Sequence, residues 1–158
     1  MDADCLIKLA KSGAKEAIVS AMEVHIPTLV KKEVVDEAAE RGYQDGIIIE
    51  KNINRKALHV VSHGKRKSHV VSAAKGESDV LTLYEAGEYD AVASDDRKFL
   101  RRLEAAHIPF VTPAACLVYL TTSNRIGAAE VRELLESLKP FISLEEYTVA
   151  RLYLEGKT

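Results

Sequence analysis

The chain has 158 residues, 47% of them apolar and 29% charged, with a formal net charge of −2. That length suits a single domain able to bury about two-thirds of its unfolded surface, and the composition excludes a disordered or fibrous chain. The slight negative charge excludes a general electrostatic attraction for nucleic acid, so any phosphate contact has to be local.

Cys5 and Cys116 sit in apolar surroundings and form neither a metal-binding pattern nor a disulfide framework, so they read as buried free thiols. The longest apolar runs fall far short of the ~20 residues that span a bilayer. Nothing has the pattern of a signal peptide, and a cytoplasmic protein with no membrane partner is the expectation.

In chain order, apolar positions at helical spacing predict helices over 3–11 and 14–22, broken by Ser12 and Gly13. Val24, His25 and Ile26 predict a short strand closed by Pro27, and Thr28 is placed to N-cap the helix LVKKEVVDEAAER. Gly42 ends that unit. A helix from about Tyr43 to Asn52 then leads to LHVVS, residues 58–62, a β-branched run that predicts a strand. After the basic segment HGKRKSH, residues 63–69, comes the helix ESDVLTLYEAGE. Strand YDAVASDD, helix RKFLRRLEAAH, strand IPFVT and helix PAACLVYLTTS follow with short connections. This alternation predicts βαβ units and a parallel sheet covered on both faces. Two last helical patterns flank Pro140.

On that scaffold several carboxylates take comparable places. Asp2 and Asp4 stand before a helix, Glu33 lies in the second turn of the helix after the first strand, Glu77 and Asp79 open a helix, and Asp95 and Asp96 follow AVAS. These are positions at the carboxyl edge of a parallel sheet, where ligands of open α/β folds bind. Each acid alone has an ordinary explanation, since a carboxylate at a helix start opposes the macrodipole by ~0.3–1 kcal/mol. Gathered together they would repel one another unless a cation neutralised them. Carboxylates without His or Cys ligands at suitable spacing favour a hard ion, Mg²⁺ or Mn²⁺. His25, His59 and His107 lie in or beside apolar runs and are assigned to the core or surface rather than to metal.

The segments DADCLIKL, IPTLVKKEV, GESDVLTLYEAGEYD and AVASDDRKFLRRLEAAHIPFVTP, in this order and spacing, resemble the PIN domain family of metal-dependent ribonucleases. The resemblance implies a three-layer α/β/α fold with a central parallel sheet of about four or five strands and extra C-terminal helices. It implies a PIN-like nuclease domain over 1–123 and a helical extension over 124–158 packed on it as one structural unit. Asp2, Glu33, Asp79 and Asp96 match the family's four catalytic acids. Asp2, Asp79 and Asp96 are then expected as metal ligands, with Glu33 acting directly or through water and Asp95 either an alternative to Asp96 or its support. Asp4, Glu77 and Ser94 are auxiliary. In the family the first acid ends a full apolar strand; here only Met1 precedes Asp2, which makes a start lying upstream the expectation.

The implied activity is Mg²⁺- or Mn²⁺-dependent endoribonuclease cleavage of RNA. The family includes toxins of toxin–antitoxin pairs, so an antitoxin protein and a homodimer are the partners it suggests. Lys65, Arg66 and Lys67, together with Arg97 and Lys98 beside the acids, are candidate phosphate contacts. The alternative is a PIN-like module that binds RNA or protein without cleaving.

Overall fold

The computed structural model describes residues 1–40, 42, 44–62, 75–87 and 89–156. Helix α1 (Ala3–Lys11) starts at Asp2, whose backbone is extended and whose carboxylate accepts the Cys5 N–H at 2.9 Å. Gly13, at φ 76°, turns the chain from α1 toward α2 (Lys15–Ala21), a left-handed conformation that favours glycine.

Strand β1 (His25–Pro27) pairs in parallel with β2 (His59–Val61), and β3 (Val92–Ala93) with β4 (Phe110–Val111). The expected four- or five-stranded central sheet is not present among the described residues, which form two separate two-stranded sheets. Met1 and Asp2 run between them. The Met1 amino group donates to His25 O at 2.8 Å, and Asp2 N donates to Ala93 O at 2.9 Å. One hydrogen bond to each side is too little ladder to merge the pairs into one sheet.

Pro27 holds the N-cap position expected of Thr28. The threonine instead begins α3 (Thr28–Lys31), and its hydroxyl donates to Val61 O at 3.5 Å. The helix then widens into a π-helical stretch, Lys32–Asp36, and resumes as α4 (Glu37–Glu40). Helix α5 (Gln44–Asn54) approaches this stretch closely at Gly46, where a Cβ would lie 2.9 Å from Ala38 Cβ and 3.2 Å from Val34 O.

Helix α6 (Lys75–Ala86) precedes β3. Helix α7 (Arg97–Ala105) buries Phe99 and Leu103 while Arg97, Lys98 and Arg101 stay in solvent. Thr112 caps α8 (Pro113–Thr122), whose Cys116, Leu117 and Leu120 are buried. Helices α9 (Ala128–Leu138) and α10 (Leu144–Glu155) pack on α8. Their Val131, Leu135, Leu138, Tyr147, Ala150 and Leu154 join the same core as Leu6, Ile26 and Phe99. Each fully buried leucine there contributes about 1.5–3 kcal/mol. Both cysteines are free and buried, and burial raises both thiols, Cys116 to about 12. Among the described residues, no helix is long and apolar enough to cross a membrane.

Candidate active site

The end of β3 collects acids from three parts of the chain. Ser94 is fully buried, and its side chain hydrogen-bonds the Asp2 carboxyl. Asp2 is itself 8% exposed. Burial raises its carboxyl to about 6, against the opposing pull of the Ser94 hydroxyl and the Cys5 N–H. Asp95 forms an ion pair with Lys8 of α1, whose ammonium also reaches Asp4 Oδ2 at 2.7 Å. Burial alone would lower the Lys8 pKa, but the two carboxylates outweigh it and the net shift is upward.

Helix α10 supplies a further acid. Glu146 hydrogen-bonds Asp95, and its Oε1 accepts the Ala114 N–H at 2.8 Å. Burial raises its carboxyl to about 7; proximity to Asp95 adds to the rise, while the Ala114 N–H and the Thr112 side chain oppose it. Lys8 thus joins Asp4 to Asp95, Glu146 hydrogen-bonds Asp95, and Asp2 lies within electrostatic reach of Asp4 and of the Met1 amino group. Burial is the first cause of the raised values of Asp2 and Glu146, a bound cation would favour the ionised carboxylates, and oxygen donors of this kind suit a hard divalent ion.

The other predicted acids stand elsewhere. Asp96 is exposed and caps α7, its Oδ1 accepting Lys98 N at 2.8 Å and Phe99 N at 2.9 Å. Of this adjacent pair it is Asp95 that joins the half-buried cluster. Glu33 is exposed on the π-helical stretch and faces the start of α6, where a Cβ on Gly76 would lie 3.9 Å from its Oε2. Glu77 pairs with Arg102 of α7 at 2.6 Å, and Asp79 is half-buried further along α6. Of the predicted acids, Asp4 and Asp95 therefore pair with Lys8, Asp2 is bonded to Ser94, Asp96 caps α7, and Glu33, Glu77 and Asp79 lie on and opposite the first turns of α6.

Of the expected phosphate contacts, Lys98 is exposed and Arg97 lies 3.7 Å from Glu145 on an open surface. Lys65, Arg66 and Lys67 lie outside the described residues.

Sequence reasoning missed Lys8 and Glu146. Lys8 is legible in hindsight as the i+4 partner of Asp4, whereas Glu146 looks like any acid in a first helical turn. It also set aside the histidines. Among the described residues, one group of three His, Cys, Asp or Glu side chains brings its ligand atoms within 4.8 Å of one another; it consists of Glu23, His25 and His59 and contains none of the predicted acids.

A family model described as a PIN domain matches residues 1–144. No curated protein and no solved structure matches the chain significantly. The match spans nearly the whole sequence and every predicted acid, ending two residues before Glu146, and the chain belongs to the PIN domain family.

Proposed function

We propose that the protein is a Mg²⁺- or Mn²⁺-dependent endoribonuclease. The observation that carries this reading is the half-buried acidic cluster at the end of β3, with Asp2 raised to about 6, in a chain of a family associated with nuclease activity. Asp2 and Asp95 would hold the ion, with Glu146 beside them and Ser94 orienting Asp2. Asp79, Asp96 and Glu33 stand apart from this cluster and enter the proposal as the acids that match the family's catalytic positions. A divalent ion bound there supplies Lewis-acid stabilisation of the charge that develops on a phosphodiester under attack by water.

The chain's own part is to gather oxygen donors, to exclude bulk water around Asp2, and to offer Arg97 and Lys98 to the flanking phosphates. A restraining antitoxin and a homodimer belong to the same proposal, and α10 exposes Leu144, Val149, Leu152 and Tyr153 as a surface for such partners.

The test is cleavage of a mixed-sequence RNA with Mg²⁺ or Mn²⁺ by the native chain and by Asp79→Asn, Asp95→Asn and Asp96→Asn. Loss of cleavage in these variants supports the reading, and equal cleavage by all four proteins sinks it. A non-cleaving RNA- or protein-binding module is the second reading, favoured by the use of Asp2 and Asp96 as helix caps. It predicts RNA or protein binding that neither ion alters, and no cleavage by any of the four.

A further inference from the structure

His25 opens β1 and His59 opens β2, and the parallel register sets them side by side. Their rings stack with centroids 4.9 Å apart and planes inclined by 27°. Glu23, two residues before His25 on the extended approach to β1, places Oε1 2.8 Å from His25 Nε2. The backbone beneath is held on both sides, with Met1 N donating to His25 O at 2.8 Å and His59 N donating to Val24 O at 2.9 Å.

We propose that Glu23, His25 and His59 bind a zinc-class divalent ion, at a site distinct from the carboxylates around Lys8. Two imidazoles and one carboxylate suit zinc and its borderline neighbours and disfavour Mg²⁺, which prefers oxygen ligands. In a tetrahedral zinc site, bonds of about 2.0–2.1 Å set ligand atoms ~3.3 Å apart. The Glu23 and His25 atoms are already near that spacing, so an ion can replace their hydrogen bond with little movement. His59 needs only a side-chain rotation, because its ligand atom lies within 4.8 Å of both.

Outside this group, the Tyr89 hydroxyl lies 3.4 Å from His25 Nδ1, and its ring meets the His25 ring edge-on at 5.2 Å. With the His25 proton on Nδ1 and donated to the Tyr89 oxygen, Nε2 keeps its lone pair for the ion, the arrangement that metal-ligating histidines use. A cavity of about 810 Å³, lined by Glu23, His25 and Tyr89 among mostly apolar side chains, gives an ion access to two of the three ligands. The bound ion would clip β1 to β2, so binding would raise folding stability.

The experiment uses the metal-stripped full chain, with Zn²⁺ followed by calorimetry and thermal melting and Co²⁺ followed by visible absorption. The expected result is a single tight Zn²⁺ per chain, a raised melting temperature that Mg²⁺ does not reproduce, and a Co²⁺ spectrum of low coordination number. His25→Gln and His59→Gln each weaken Zn²⁺ at least as much as the ~100-fold that losing an outer partner can cost, and Tyr89→Phe weakens it about 10-fold. Glu23→Gln alters an exposed side chain and also weakens Zn²⁺, while Asp95→Asn binds it as the native chain does. Absence of Zn²⁺ binding by the native chain overturns the site. Undiminished binding by Glu23→Gln and the folded histidine variants also overturns it, by placing the ion elsewhere.

Discussion

The carboxyl of Glu146, carried by the C-terminal helix α10, hydrogen-bonds Asp95 at the end of β3. The last helix thus contributes a charged group to the acidic cluster as well as apolar cover for the core.

The burial of Glu146 and Asp2 makes stability depend on pH in a definite direction. Glu146 and Asp2 are raised to about 7 and about 6, from ordinary values of 4.5 and 3.8. The folded state therefore binds more protons than the unfolded state in those intervals. The contribution of each group is fully present below its ordinary value and is lost as pH rises through its folded value. Urea denaturation of the native chain and Glu146→Gln between pH 4 and 8 should show the native chain losing on the order of 1–2 kcal/mol relative to the variant, allowing for partial solvent screening.

Asp2 caps α1 and is also proposed as a ligand, and two substitutions separate the roles. Asparagine still caps, so Asp2→Asn should keep stability within a few tenths of a kcal/mol by the cap criterion, whereas Asp2→Ala should lose about 1 kcal/mol. RNA cleavage should vanish in both. Chemical denaturation beside the cleavage assay reads the two effects independently.

Lys8 neutralises Asp4 and Asp95. Lys8→Met leaves those acids without their cation and should destabilise the chain by about 1–3 kcal/mol. If a divalent ion enters the same region, Mg²⁺ will raise the melting temperature of this variant more than that of the native chain. Thermal melts with and without Mg²⁺ check this.

Lys15 is 1% exposed and pairs with Glu16 Oε1 at 2.7 Å, while Glu16 Oε2 accepts from Asn52 and Arg55. The pair holds Glu16 below the usual carboxylate range. Replacing a buried charge by an apolar group of similar length is often neutral or stabilising, so Lys15→Met should fall within about 1 kcal/mol of the native chain. Glu16→Ala leaves the lysine buried without its partner and should cost about 1–3 kcal/mol, discounted because Glu16 is half exposed. Equilibrium unfolding of both variants tests the contrast.

The helices were legible where apolar periodicity was strong. The predicted ranges over 3–11, 97–107 and 113–123 agree with α1, α7 and α8 to within two residues, because each presents one apolar face or is apolar throughout. Strand length was not legible. YDAVASDD contracts to Val92–Ala93, since Ser94 turns its side chain to Asp2 and to the Asp96 N–H, and Asp96 is already capping α7. Local pattern marks where a strand lies, whereas its length depends on a neighbour to pair with.

What the amino-acid order determined by itself was the family, the alternation of strands and helices, and the gathering of acids at helix starts. Those features rest on local propensity and on spacing along the chain. Only the tertiary structure decided that Asp95 rather than Asp96 turns into the cluster, that Lys8 and Glu146 meet it there, and that His25 stands against His59 with Glu23 beside them. Each of these depends on register or packing between segments far apart in sequence, and no periodicity in one segment encodes its distance from another.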